Sequence, residues 1–502
     1  MERGIFHRTS SAVWEWFRDQ IFTRKMASPL GIFVLSIIAV GMAYTTVLIN
    51  YKLSIGITFL AAALLLCILS VIYPVVGYCI CFILPFFMML PNQMSNGTAM
   101  VPTGLFPEYY SYLTLLGLLT HKRYRKEVTA SFWSTPIMIS SIVMLAFLLL
   151  EFFNPNMFSK LGWFNFVRKQ FSYTLFILIS YIFFNSREAI KFFVRFWIFI
   201  ATVHVLYCLK QEYIGFFDFE YIWLISDEKR FALYVNDGMF RKWGLLSDPA
   251  TAGILYACST VLLVILGLRA TKTYKRALYL MMAVVHFLAT SYTGTRTATL
   301  MVIAGMAFYC VLTLYEKRTL IFSGFFGILI LALLFAPIHD NVVINRLRST
   351  FEGSKDPSAM ARDINRRTVQ PYVWSHPIGG GLNTCGQVGQ LYNPGHYLSM
   401  IPPDSAYMQT MMEQGPIGLA ILLIFYYVTL RTGIKYFYRV KDPHIQTLYV
   451  ANLVAIFTMQ VAQFSQQAIG QYPGVLYYYA ALALMMKLHQ FDSPGKKAVT
   501  ES

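Results

Sequence analysis

Apolar runs near the ~20 residues needed to cross a bilayer as a helix recur from residue 30 to residue 487 of this 502-residue chain. Lipid offers the backbone no hydrogen-bond partners, so such runs become helices or strands of a closed barrel. Barrel strands would show as short segments of alternating polarity, whereas these runs are continuous. The chain therefore reads as an all-α polytopic membrane protein. Composition agrees: 57% of residues are hydrophobic, 16% aromatic and 13% charged, about half the charged fraction of a soluble domain.

The expected spans are 30–49, 54–71, 73–91, 103–120, 134–153, 170–185 and 188–209, then 249–268, 275–293, 297–315, 320–337, 405–431, 445–466 and 471–487. That is about fourteen transmembrane helices (12–14), the least apolar being 103–120, which contains Glu108. Charge gives an independent check. With the amino terminus inside, the loops "HKRYRKEV", "NSREAIK", "LRATKTYKR", "YEKR" and "RTGIKYFYRVK" and the tail "PGKK" all fall on the cytoplasmic side, where Lys and Arg collect. The organisation expected is a cytoplasmic amphipathic segment 1–29, a transmembrane domain 30–337 with an outer loop 210–248, a large periplasmic loop 338–404, transmembrane helices 405–487 and a cytoplasmic tail 488–502.

The net charge of +17 follows from those loops; no nucleic-acid-binding module is present. Cysteines 67, 79, 81, 208, 258, 310 and 385 contain no CxxC pair and mostly lie inside spans, so neither a disulfide framework nor a zinc site is expected. Residues 1–29 lack the apolar core of a signal peptide; "SAVWEWFRDQIFTRK" reads as a surface helix. An Asn96-Gly97-Thr98 sequon is present, a match common by chance.

Loops as long as 210–248 and 338–404 are usually functional. The second holds Arg346, Arg348, Arg362, Arg366 and Arg367 on the side where arginine should be scarce. These either pair with Asp340, Glu352, Asp356 and Asp363 or present a basic surface to a phosphate-bearing ligand.

Three places bring unusual polar groups to outer helix ends. Asp248-Pro249 is a helix start with an acidic N-cap, and Arg241 and Lys242 precede it beside Trp243, as interfacial anchors or as anion ligands. Arg296 opens a span and shares a face with Leu300; a guanidinium at membrane depth usually faces a cavity or partner. Asp404-Ser405, after Pro402-Pro403, can cap the helix that follows or do chemistry.

The stretch "WSHPIGGGLNTCGQVGQ" lacks the phosphate-cradling patterns GxGxxG and GxxxxGK[ST]. Its glycines let the backbone approach a ligand or another helix. His339, His376 and His396 match no metal spacing. There is neither a GxSxG elbow nor a Cys/His nucleophile signature. No metal and no cofactor is expected.

Together these pieces resemble the O-antigen ligase and polymerase superfamily of bacterial envelope proteins, over about 236–430. "RKWGLLSDPATAGILYA" looks like the family's Arg-x-x-Gly segment, "TGTRTATL" like its Arg-x-x-x-Leu element and "SHPIGGGLN", with Gly380 and Gly381, like its Pro-(x-x)-Gly-x-Gly stretch. In the last element Ser405, Gly415 and Gly418 keep the family's spacing, while Asp404 stands where ligases have histidine. An aspartate followed by Asn or Ser looks more like the superfamily's polymerases.

The resemblance implies a GT-C-type glycosyltransferase acting on undecaprenyl-pyrophosphate-linked oligosaccharide at the periplasmic face of the inner membrane. It implies Arg296 and Arg241 on the pyrophosphate, with Arg366 and Arg367 in support, and Asp404 as base for the acceptor hydroxyl. Membrane lipid, and a chain-length regulator or flippase, are the partners expected, and nucleic acid is not. The rival reading is a lipid-linked oligosaccharide flippase, which would carry its polar groups mid-span and have short loops. A scaffold of the envelope assembly ranks third.

Overall fold

A computed structural model describes residues 28–29, 33, 36–37, 41, 51–95, 103–236, 238–335, 357–403 and 405–492. Most of the expected segment 1–29 and span 30–49, the sequon, His339, Arg346, Arg348, the side chain of Arg362, Asp404 and the tail beyond 492 lie outside the described residues. Contacts divide the chain into two units, Met1–Ile72 and Tyr73–Ser502. The first contains α1 (Tyr51–Ile72), on the span expected at 54–71.

In the second unit, α2 (Pro74–Phe87) and the short α3 (Leu90–Met94) precede α4 (Phe106–Thr120), α5 (Pro136–Leu150), α6 (Lys160–Phe183) and α7 (Arg187–Tyr213). The loop 210–248 carries α8 (Asp218–Ile225), α9 (Glu228–Tyr234) and a two-residue antiparallel ribbon pairing Val235 with Phe240. Then come α10 (Pro249–Arg269), α11 (Thr273–Tyr292), α12 (Arg296–Thr313) and α13 (Lys317–Phe335). The long loop holds α14 (Pro357–Ser375) and α15 (Gly386–Tyr392), and α16 (Ala406–Arg439), α17 (Pro443–Ala462) and α18 (Gly474–Lys487) follow. Helices thus stand where the described spans were expected. Among the described residues, 7 are long and apolar enough to cross a membrane: Pro74–Met94, Pro136–Phe153, Arg187–Tyr213, Pro249–Arg269, Arg296–Thr313, Ala406–Arg439 and Pro443–Ala462.

The core forms around α10, which touches α7, α11, α12, α17 and α18. In lipid, close approach of helices depends on small residues. A Cβ on Gly305 of α12 would lie 2.4 Å from Thr458 of α17, and one on Gly253 of α10 2.7 Å from Thr293. Aromatic pairs fill the neighbouring layer, with Tyr78 stacked on Phe183 at 4.0 Å and Trp197 on Tyr477 at 4.6 Å. The carboxylate that made 103–120 the least apolar span is buried and paired with Arg168 of α6, which offsets the cost of removing it from water.

Consecutive helices joined by short connections, such as α10, α11 and α12, run in opposite directions, so the bundle has two ends. One gathers basic ends and their ion pairs: Arg269–Glu316 at 2.8 Å, Arg187–Asp442 at 3.0 Å, and Lys487–Glu127. The other gathers the two long loops and the starts of α6, α10, α12, α16 and α18.

Candidate functional site

At the loop end, α10 begins as its sequence predicts. The Asp248 side chain accepts from Thr251 N–H at 2.8 Å and from the Thr251 hydroxyl at 2.6 Å, with Pro249 at the first helical position. Arg241 is half-buried and binds the turn that leads into α12. Its Nε donates to Thr293 O at 2.9 Å, one terminal nitrogen to the Thr295 hydroxyl at 3.2 Å and the other to Leu233 O at 3.2 Å. The Thr295 hydroxyl donates in turn to Pro249 O at 3.0 Å. Arg241 therefore sets the geometry of the turn from which Arg296 projects.

Arg296 is the first residue of α12, after Thr295 at the N-cap. A helix start carries partial positive charge and favours anions, so a guanidinium there gains nothing from the dipole. Cation and first-turn N–H groups together favour an anion.

The third sequence feature joins the same place through residues 463–471. Ser405 caps α16 by accepting from Met408 N–H at 3.0 Å, and Ala406 N–H donates to Gln463 O at 3.0 Å. Beside them the Ser465 hydroxyl lies 2.7 Å from that of Thr297, the neighbour of Arg296, and Gln471 accepts from Thr251 at 2.7 Å. Arg366 of α14 sits over the Phe464 ring, 4.8 Å from its centre. One connection between α17 and α18 thus draws together the first turns of α12 and α10, the start of α16 and Arg366. Arg367 is not brought in: it is exposed and paired with Asp363 at 2.9 Å.

The glycine-rich stretch docks on a break in α16. Gly415 has φ +66 and Pro416 has no N–H, so Met412 O and Glu413 O lose their helical donors. Gly380 N–H and Gly381 N–H replace them, each at 2.8 Å. A Cβ on Gly415 would fall 2.1 Å from Pro377 O. Gly418 lies one turn on, where a Cβ would meet Phe147 at 3.1 Å. Of the two purposes expected for these glycines, the structure displays close approach to another helix. Asn154 and Asn156 tie the stretch down by donating to Ile378 O at 3.0 Å and Gly379 O at 2.9 Å. His396, expected neither as ligand nor as base, accepts from Leu398 N–H at 3.1 Å and starts a helical turn; burial lowers its basicity.

Glu413 was missed in sequence. It is fully buried, accepting from Cys385 N–H at 3.3 Å and from Gln409 at 3.3 Å. A carboxylate inside a span two residues before Gly-Pro was the available signal.

The first turns of α16 separate two hollows. On one face Tyr407, Met408, Met411 and Met412 line an apolar groove of about 340 Å³, with Arg366 at its edge. On the other, Ala406, Gln409, Thr410, Glu413 and Gln414 contribute the polar side of a mixed cavity of about 260 Å³. The two sets alternate at helical spacing, and Ser405 tops the ridge between them. A ligand with an apolar chain and a polar head would find both halves of its environment here.

Residues 281–423 match the family model described as O-antigen ligase. The match takes in Arg296, the glycine-rich stretch, Ser405, Gly415 and Gly418; Arg241 lies before it. No curated protein matches the chain.

Proposed function

We propose, from the match of residues 281–423 to the family model described as O-antigen ligase, that this chain belongs to the O-antigen ligase and polymerase superfamily and is an envelope polysaccharide polymerase. It would transfer undecaprenyl-pyrophosphate-linked glycan to a sugar hydroxyl of an acceptor repeat, at the periplasmic face of a bacterial inner membrane. The observation that carries the reading is the convergence on residues 463–471 of Thr297 next to Arg296, of the first turn of α10, of the start of α16 at Ser405 and of Arg366.

In the reaction, the acceptor oxygen bonds to the anomeric carbon and the bond from that carbon to the pyrophosphate oxygen breaks. The electron pair leaves with the lipid pyrophosphate, and the hydroxyl proton passes to Asp404. Guanidinium groups hold phosphate oxygens in bidentate fashion and keep their charge at any physiological pH. Arg296 is therefore assigned to the developing charge, without a metal, and Arg241 to fixing Arg296 and completing the positive surface. The apolar groove beside Arg366 offers the polyprenyl chain a path out of the bilayer.

Ligase activity, transfer to lipid A core, is the second reading, because the matching family model carries that description. Asp404 in place of the ligases' histidine favours the polymerase. The glycan made by a deletion strain separates them. Loss of long chains with one repeat still on lipid A supports a polymerase of O-antigen; loss of every repeat, with lipid-linked polymer accumulating, supports a ligase. For a capsule or exopolysaccharide, long polymer disappears and lipid A is unchanged. Arg296→Ala protein is expected to make no long polymer; full-length polymer from that variant would remove the pyrophosphate assignment.

A further inference from the structure

The mixed cavity beside α16 is not used by the chemistry above, and one side of it is rich in amide groups. Besides Gln409 and Gln414 it presents Lys169, Gln170, Gln467 and the rings of Tyr173 and Tyr479, which stack at 5.5 Å. Amide side chains offer paired donors and acceptors to neighbouring hydroxyls. Part of this polarity is already committed. Gln463 is held at both ends, donating to Tyr426 and accepting from Ile469 N–H, and Glu413 faces the 385 loop. Gln170 and Gln409 donate to Tyr479 and Glu413, at 2.9 and 3.3 Å, which leaves their carbonyl oxygens available.

Lys169 differs from the rest. It is exposed at this cavity, and among the described residues its ammonium makes no ion pair or hydrogen bond. Glu108, the nearest acid to influence it, is already held by Arg168. Glu413 is turned into the protein with no exposed surface. Lys169 therefore adds a cation with no ion pair or hydrogen bond of its own, among the described residues, to a cavity lined by amide side chains. An ammonium without a partner favours an anionic ligand group.

We propose that this cavity is the subsite for a sugar of the glycan and that Lys169 makes it selective for a sugar bearing a carboxylate. The inference rests on the transferase reading and adds the chemical class of the repeat unit. Its size of about 260 Å³ is near the lower edge of small-molecule pockets, roughly 300–1,000 Å³, and suits a short saccharide segment.

The test is calorimetric titration of the full chain in detergent with a glucuronic-acid-containing disaccharide and its carboxyl-reduced neutral counterpart. The acidic sugar is expected to bind about tenfold tighter, the worth of one charge-assisted hydrogen bond. Lys169→Gln should abolish the preference and Lys169→Arg should keep it, with matching melting temperatures for all three proteins. Equal binding of the two sugars, or a preference that survives Lys169→Gln, overturns the proposal. So does inorganic pyrophosphate displacing the acidic sugar through Lys169, which would give the cation to the donor's phosphates. Elongation of lipid-linked glycan in membranes is measured in parallel. Its absence overturns the transferase reading on which the proposal rests, whereas elongation without Lys169-dependent selectivity overturns the subsite alone.

Discussion

Arg241 and Arg367 are both loop arginines, yet their surroundings assign them opposite importance. Arg241 holds the approach to Arg296 with three directed bonds. Lysine keeps the charge but cannot reproduce a planar fork. At about 1 kcal/mol for each bond lost, Arg241→Lys is expected to lower transfer roughly tenfold or more, measured as polymer formed per amount of protein in membranes. Arg367 belongs to an exposed pair one turn apart on a helix, an arrangement worth only about 0.3–0.5 kcal/mol. Arg367→Ala should leave transfer within about twofold of the parent. Equal losses in both variants would mean that positive charge in the loops matters and the stitching of the turn does not. Arg296 was legible in sequence because a cation at that end of a span has no topological reason to be there. Lys169 and Glu413 were not, because a lone charge near or inside a helix acquires meaning only from what faces it.

The break in α16 is the element on which the site depends. Gly-Pro-Ile-Gly announces a kink, since Pro416 cannot donate and Gly415 accepts a left-handed backbone. Its partner could not be read. The stretch that supplies the missing donors lies more than thirty residues earlier, and the asparagines that anchor that stretch lie more than two hundred residues earlier still. Such pairings have no period and leave no pattern in one sequence. The packing predicts a graded response among glycines of positive φ. Gly415→Ala places a methyl 2.1 Å from Pro377 O on top of the ~1–2 kcal/mol of a left-handed L-residue. Gly395 has φ +83 but open space around it, so Gly395→Ala incurs the backbone cost alone. Thermal unfolding in detergent should show a much larger fall in melting temperature for Gly415→Ala, together with loss of polymer. Equal falls would remove the docking role assigned to the break.

At the scale of the whole molecule, hydropathy located the described helices because burial in lipid imposes one requirement on every span, while the convergence of residues near 241, 296, 366, 405 and 465 is a product of tertiary packing. What unites the two is polarity along the bundle axis. The end opposite the site gathers Arg187, Arg269 and Lys487 in ion pairs, and Lys and Arg mark the side a membrane protein retains in the cytoplasm. On the proposed reading, the site opens on the other side. Single introduced cysteines test this orientation in cells whose outer membrane has been permeabilised. Gly395→Cys, in the loop after α15 with open space at its Cβ, should react with a membrane-impermeant maleimide. Lys441→Cys, exposed between α16 and α17, should react only after the inner membrane is disrupted. Cys81, Cys208, Cys258, Cys310 and Cys385 are buried, and the partly buried Cys67 and Cys79 are replaced by serine in the parent protein to keep background low. The opposite labelling pattern would place the arginines in the cytoplasm and exclude a periplasmic polymerase.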